Sequence, residues 1–268
     1  MPVRFGIIGC SRVAKRRFLP ALASSGAAEL VNVGSRDQDK ARRYAEEFKS
    51  KRWGSYESVL SDKEVEAVYI STPPLSHAEW VLKAAAAGKH VICEKPAFPL
   101  YSTAQEVVME CLNAGVRLME NYAFLYHPQH AVAYGLLEAI GGLQGLEAQF
   151  TYPTPSEGDI RLDPLLGGGV FLDSFGYLIA TALYYFDKLP ESVVCERTFD
   201  LKKNIDTKVS VTLSFDDGRK TDGMAAMGEE YVSRYILLGT RGTITVNRAF
   251  SVDPEMPTEV VARGERGE

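Results

Sequence analysis

Glu94-Lys95-Pro96 stands directly behind the apolar run His90-Val91-Ile92-Cys93, and a glycine-rich turn opens upstream at Gly6. A lysine at the carboxyl end of a parallel strand points into the crevice where open α/β sheets bind ligands, so its charge can act on whatever that turn holds. The turn reads Gly6-Ile7-Ile8-Gly9-Cys10-Ser11-Arg12-Val13-Ala14, between a strand-like and a helix-like run. In that context glycine allows the tight bend, and the amides and dipole of the following helix attract a pyrophosphate. Ser11 stands where a second glycine would let the backbone approach the phosphates, which weakens the site without abolishing it. Lysine and glycine turn together point to nicotinamide redox chemistry.

The second strand ends in Gly34-Ser35-Arg36-Asp37. NAD binders place an acid here for the ribose 2′-hydroxyl. A hydroxyl and a guanidinium suit a 2′-phosphate instead, and Lys40 adds charge one turn later, so NADP is favoured over NAD. The alternative is that Arg36 is solvated and Asp37 swings in to the ribose. His127-x-x-His130 has no third ligand spaced nearby, and no metal is expected.

The elements that must position these residues alternate in the first half of the chain. Strands are predicted at 3–9, 30–34, 67–70, 90–93 and 117–120, and helices at 12–24, 37–48, 77–87 and 100–114. Asp37 and Ser76 are the expected N-caps, and Gly88 and Gly115 the C-terminal stops. Repeated βα units with near-continuous apolar strands predict a doubly wound parallel sheet. After about Tyr122 the pattern changes to longer strands at 143–151, 193–198, 209–215, 219–227, 235–239 and 242–247, with helices at 130–140 and 170–185. This predicts an α+β domain whose open-faced antiparallel sheet is covered on one side, with domains at 1–122 and 123–268. From Pro254 onward periodicity is lost, which reads as a strand remnant or a loose tail.

The chain has 268 residues, 46% of them apolar, and a formal net charge of −5. That suffices for sizeable cores and gives no broad electrostatic bias toward nucleic acid. Four cysteines without C-x-x-C spacing, and no charged-then-apolar leader, fit a cytoplasmic protein. No run is read as long enough in apolar residues to span a membrane.

Gly6-x-x-Gly9-x-Ser11-x-x-Ala14, Ser71-Thr72-Pro73-Pro74-x-x-His77, Glu94-Lys95-Pro96 and Gly167-Gly168-Gly169-x-x-x-Asp173 together resemble the glucose–fructose oxidoreductase/inositol dehydrogenase/MocA family. The resemblance implies a Rossmann domain followed by an open-faced sheet, in chains commonly some tens of residues longer. Arg16-Arg17-Phe18-Leu19-Pro20, Glu120-Asn121-Tyr122-Ala123-Phe124-Leu125-Tyr126-His127-Pro128-Gln129-His130, Asp163-Pro164-Leu165-Leu166-Gly167 and Asn247-Arg248-Ala249-Phe250 look like the branch of nucleotide-sugar 3-ketoreductases. Dihydrodiol and aldose dehydrogenases share much of this wording.

Carried over residue by residue, the resemblance implies that the cofactor meets Gly6, Gly9, Cys10, Ser11, Arg12, Val13, Ser35, Arg36, Lys40, Thr72, Pro73, Leu75, His77, Glu94, Lys95 and Asn121. Phe124, His127, Gln129, Asp173 and Tyr177 are implied at the substrate; for His127 and Gln129 a turn leading into a helix is nearly as good a reading. Many members carry a histidine four residues after the aspartate of the glycine-rich motif, whereas here Tyr177 follows Asp173 and Ala180 replaces a later acid. The sugar-ketoreductase branch uses tyrosine there as the proton donor. Four residues apart, Asp173 and Tyr177 share a helical face. A nearby ammonium lowers a phenol's pKa, and Lys95 can do this while stabilising alkoxide charge. Asp173 would bind substrate hydroxyls or orient Lys95. The Lys95-Pro96 bond is a candidate cis peptide by resemblance. Phe175 stands where a glycine is usual, with Gly176 one later, so a local shift of the helix is expected.

The reading is reduction of a nucleotide-linked keto-sugar by NADPH. Its alternatives are an NADP-dependent aldose or dihydrodiol dehydrogenase, or a non-catalytic dinucleotide sensor. A homodimer or homotetramer through the C-terminal sheet is expected because an open sheet presents a large apolar face.

Overall fold

The computed structural model describes residues 1–253 and 255–264. Two compact units divide the chain, Met1–Asn121 and Tyr122–Glu268.

In the first unit six strands, β1 (Val3–Ile8), β2 (Ala28–Gly34), β3 (Arg52–Gly54), β4 (Ala67–Ile70), β5 (His90–Glu94) and β6 (Leu118–Asn121), pair in parallel in the order β3-β2-β1-β4-β5-β6. Successive strand residues point to opposite faces, and both faces are apolar because both are covered. Ile8, Val31, Val68 and Ile70 pack with Val59, Trp80, Val81 and Val107 on one side. Phe5, Ile7, Val33 and Tyr69 pack with Ala14, Leu19, Ala41 and Tyr44 on the other. The order reverses between β1 and β4, so their carboxyl ends flank the switch-point crevice where such sheets bind ligands.

The helices are α1 (Leu19–Ser25), α2 (Gln38–Glu47), α3 (Tyr56–Ser61), α4 (His77–Ala86) and α5 (Tyr101–Asn113). Helical backbone begins at residue 12, but residues 14–18 form a wider π turn leading into α1. Asp37 caps α2 as expected. Ser76 does not cap α4: its hydroxyl goes to Thr72 Oγ1 (2.9 Å) and the Pro73 carbonyl (2.8 Å). β3 and α3 escape periodicity because they span three and six residues. Gly88 and Gly115 close their helices with φ of 69° each.

In the second unit β7 (Leu143–Tyr152), β8 (Ser192–Asp200), β9 (Ile205–Ser214), β10 (Lys220–Met227), β11 (Val232–Gly239), β12 (Gly242–Asn247) and β13 (Val260–Gly264) form one sheet, ordered β13-β12-β11-β7-β10-β9-β8. The sheet is mostly antiparallel, but β7 and β10 at its centre pair in parallel. β13 decides the tail in favour of a strand: it pairs with β12 from Val260 to Gly264, while Pro254 and residues 265–268 lie outside the described residues.

One face is covered by α6 (Pro128–Gly135) and by a helix from residue 170 that becomes α7 (Gly176–Phe186). Leu178, Ala182, Tyr185 and Phe186 pack there with Leu146, Val209, Val211, Tyr235 and Leu237. The other face is not the large apolar surface expected. By strand alternation it carries Glu147, Gln149, Lys208, Ser210, Asp222 and Arg234 around Met224 and Ile236. The stretch Pro164–Phe186 is long and apolar enough to span a membrane by length and composition alone, a test that the core helix of a globular domain also meets. Its buried residues pack against the sheet just described.

Candidate active site

In the first unit, the glycine turn is tied to the end of β4. Ser11 Oγ accepts from the Ala14 amide (3.0 Å) and donates to Ser71 Oγ (2.8 Å), which donates to the Gly9 carbonyl (2.8 Å). Tyr44 donates to the Ser11 carbonyl at 3.2 Å. Gly9 has φ of 103°, and a Cβ there would meet the Ser71 carbonyl and Thr72 nitrogen at 3.1 Å, so only glycine lets β1 turn this close to β4. A Cβ on Gly6 would fall on Val59, so packing alone requires glycine there. Cys10 is buried, and that burial pushes its thiol up to about 11 and keeps it neutral. Arg12 and Val13 form the exposed first turn of the helix.

Asp37 Oδ1 accepts the Lys40 amide (3.0 Å), and Ser35 Oγ accepts the Asp37 amide (3.2 Å). The acid of this strand end is thereby committed to a cap, leaving Arg36 exposed and Lys40 half-buried beside it. Burial raises the Tyr56 phenol, and the Arg36 guanidinium beside it opposes that rise.

Three expected cofactor contacts are turned inward. His77, 1% exposed, faces the Thr72 carbonyl with Nε2 (2.8 Å) and the Pro96 carbonyl with Nδ1 (3.0 Å). It ties the Thr72-Pro73 turn to the Pro96 turn. Burial, the dominant cause, holds its pKa below the usual histidine range. Glu94 is buried and its Oε1 accepts from both Tyr69 (2.6 Å) and Asn121 (2.6 Å), so Glu94 and Asn121 satisfy each other. Lys95, half-buried, follows this anchored carboxylate across a cis peptide to Pro96. Glu120 accepts the Ala97 amide (2.8 Å); burial raises its carboxyl and the Lys95 ammonium opposes the rise. Thr72 is buried, Pro73 half-buried and Leu75 exposed on the same turn.

In the second unit, Tyr177 sits among four aromatic rings. Phe150 (5.3 Å), Phe124 (5.4 Å), Phe250 (5.6 Å) and Tyr122 (5.7 Å) surround it by centroid distance. Phe124 thus serves the tyrosine. Asp173 Oδ2 accepts from Tyr152 (3.0 Å) and Ser174 (3.3 Å). Arg161, paired with Asp159 at 2.9 Å, lies over the Tyr152 ring at 5.3 Å, and its charge also feels Asp173. His127 caps α6, its Nδ1 accepting the Gln129 amide at 3.3 Å. Gln129 is 3% exposed and hydrogen-bonds the Arg248 and Ala249 carbonyls. No cluster of metal-ligating side chains occurs among the described residues.

The glycine triad also packs on protein. A Cβ on Gly168 would meet the Asp163 carbonyl at 2.7 Å, and one on Gly169 would fall on the Asp206 carboxylate. Asp206, 2% exposed, accepts the Phe171 amide (2.6 Å) and pairs with Arg197 (2.8 Å), holding the start of the helix that carries Tyr177. Residues 171–175 form a π turn, and a Cβ on Gly176 would fall on the Tyr122 hydroxyl. The displaced glycine therefore meets a real close contact, and the wider turn before it accommodates an extra residue. Tyr152, Ser174, Asp206 and the ring cage were missed from sequence; only the alternation along β7 signalled inward aromatics.

Residues 3–122 match the oxidoreductase family with an NAD-binding Rossmann fold, GFO_IDH_MocA, and residues 137–245 match the GFO/IDH/MocA C-terminal domain. A dTDP-3,4-didehydro-2,6-dideoxy-α-D-glucose 3-reductase of Saccharopolyspora spinosa is 37% identical, covering 99% of this chain and 80% of that protein. A D-xylose 1-dehydrogenase (NADP+) of Haloferax volcanii is 32% identical over 96% of this chain and 79% of its own length. The crystal structure of a tyrosine-to-phenylalanine mutant of KijD10, a 3-ketoreductase from Actinomadura kijaniata in complex with TDP-benzene and NADP, superposes with a TM-score of 0.94 at 31% identity, covering 99% of this chain and 82% of that one. The chain belongs to the GFO/IDH/MocA oxidoreductase family.

Proposed function

We propose that this oxidoreductase reduces a keto group of a nucleotide-linked sugar with NADPH, Tyr177 donating the proton and Lys95 assisting. The observation that carries the reading is the environment of Tyr177: a phenol held by rings from β7, from residues 122–124 and from residue 250, at the position where the resemblance to sugar ketoreductases implies the proton donor. The sugar-reductase relatives support the substrate class.

The residues of the first unit fit the cofactor. Gly9 clears space beside β4, the helix from residue 12 offers its positive end to a pyrophosphate, and Arg36 with Lys40 offers cations at the β2 end while Asp37 is capped away. When bound, NADPH supplies the hydride. Tyr177 then passes its hydroxyl proton to the oxygen on which negative charge develops, and the Lys95 ammonium stabilises that charge. Asp173, held by Tyr152 and Ser174, orients a substrate hydroxyl. A homo-oligomer through the open sheet face, in the cytoplasm, remains part of the proposal; that face would associate through Met224 and Ile236 ringed by charges of both signs.

Tyr177→Phe removes the acidic proton and keeps the ring in its cage. Turnover of a dTDP-keto-sugar should fall by about 10²–10⁴-fold with NADPH binding retained, as read by steady-state kinetics and cofactor fluorescence. Wild-type turnover in the variant would end the assignment. The Haloferax relative favours a second reading, oxidation of a free aldose with NADP+, and D-xylose against a dTDP-keto-sugar separates the two.

A further inference from the structure

Three walls of the Tyr177 cage stand on or beside ordered elements: Phe150 in β7, and Tyr122 and Phe124 at the turn leading to α6. The fourth, Phe250, follows β12 in a segment with no helix or strand of its own, yet is 4% exposed and touches Tyr177, Phe124 (5.5 Å) and Phe150 (5.4 Å). That segment needs external fastening. Arg248 adopts φ of 54°, a left-handed conformation that side chains other than glycine adopt at a cost, and this reverses the chain after β12. Its guanidinium lies over the Tyr231 ring at 4.5 Å.

The buried polar groups of the segment are answered from two side. Ser233 takes both amides: its carbonyl accepts from Ala249 (2.8 Å) and its Oγ from Phe250 (3.0 Å). Gln129 takes the carbonyls, its Nε2 reaching Arg248 O (3.4 Å) and Ala249 O (3.3 Å). Gln129 is itself 3% exposed and leaves its Oε1 without a hydrogen-bond partner, a desolvation cost that packing alone would not call for. An apolar side chain would fill the space without that cost but would strand both carbonyls.

We propose that Gln129, together with Ser233, is a positioning residue for the reaction: it holds the 248–250 turn so that Phe250 fixes the ring of Tyr177. The inference rests on Tyr177 as proton donor. A displaced wall would let the phenol wander from its productive geometry, where small misplacements cost large factors in rate.

The test uses full-length protein labelled with 3-fluorotyrosine, the Tyr177 resonance being assigned by its loss in Tyr177→Phe. Gln129→Met, close in size and unable to donate, should move that resonance and its titration midpoint in the same direction as Phe250→Leu. It should also lower kcat about tenfold while leaving the KM for NADPH within about twofold. Ser233→Ala should do the same more weakly, Ser233→Thr should restore the wild-type behaviour, and Ser233→Ala serves as the readable variant if Gln129→Met does not fold. An unmoved Tyr177 resonance in folded Gln129→Met or Ser233→Ala overturns the positioning role, whatever the activity. Full turnover by Tyr177→Phe instead sinks the proton-donor reading, so the two failures are separable.

Discussion

An acid placed after the second strand would repel a 2′-phosphate, and here that acid, Asp37, spends its carboxylate on the Lys40 amide. The neighbouring guanidinium of Arg36 stays exposed at the same strand end. Removing Arg36 should therefore shift cofactor choice. Arg36→Ala should cost NADPH affinity about 10–100-fold, the worth of a charge-assisted hydrogen bond, and leave NADH nearly untouched. Fluorescence titration with both cofactors checks this, and an unchanged NADPH-to-NADH ratio counts against Arg36. Sequence named both candidates and favoured the guanidinium, but left the part of the aspartate open, because a capping aspartate and a ribose-binding one occupy the same position. Nor could it see which of the polar residues it named also satisfy protein groups. His77, Glu94 and Asn121 are matched to backbone or to each other, and Gln129 is buried; a polar residue beside a ligand and one that satisfies protein groups look alike in sequence.

Both π turns lie at the elements that carry the chemistry, one in the helix after the glycine turn and one before α7. An inserted residue is invisible to a search for 3.6-residue periodicity, so the first π turn left no sign in the sequence, whereas the second was signalled by Phe175 in place of a glycine. Gly176 shows the consequence. A methyl group there falls on the Tyr122 hydroxyl, a wall of the Tyr177 cage. Gly176→Ala should destabilise the protein by about 1–3 kcal/mol through overpacking, and Tyr122→Phe in the same chain should recover part of the loss. Urea unfolding of the single and double variants decides it. Additive losses would mean the two residues do not meet. Elements with strong alternation, β7 and β12, were legible almost to the residue; β3 and the parallel pairing of β7 with β10 were not, and β13 only as one of two readings, since short strands carry little pattern and pairing partners carry none.

The whole molecule keeps separate apolar cores in its two units, and each contains one histidine fully removed from solvent: His77 in the first and His130 in the second. His130 packs on the Tyr235 ring and its Nδ1 bonds the Tyr235 hydroxyl (2.8 Å), which meets Tyr185 at 2.6 Å. Burial, aided by the nearby His127, lowers its pKa to about 4. The unfolded chain takes up a proton near pH 6.5 and the folded one does not until about pH 4, so stability falls as pH drops through that window. The slope for one such group is ~1.4 kcal/mol per pH unit, amounting to ~3 kcal/mol across the window. His77, whose pKa is also lowered, adds to it with the same sign. Denaturant unfolding between pH 7.5 and 5 should therefore lose stability steeply in wild type. His130→Gln should lose it less steeply, whatever its absolute stability, with the remaining slope left to His77. Parallel slopes in the two proteins would place the acid sensitivity elsewhere than in the core beneath Tyr177.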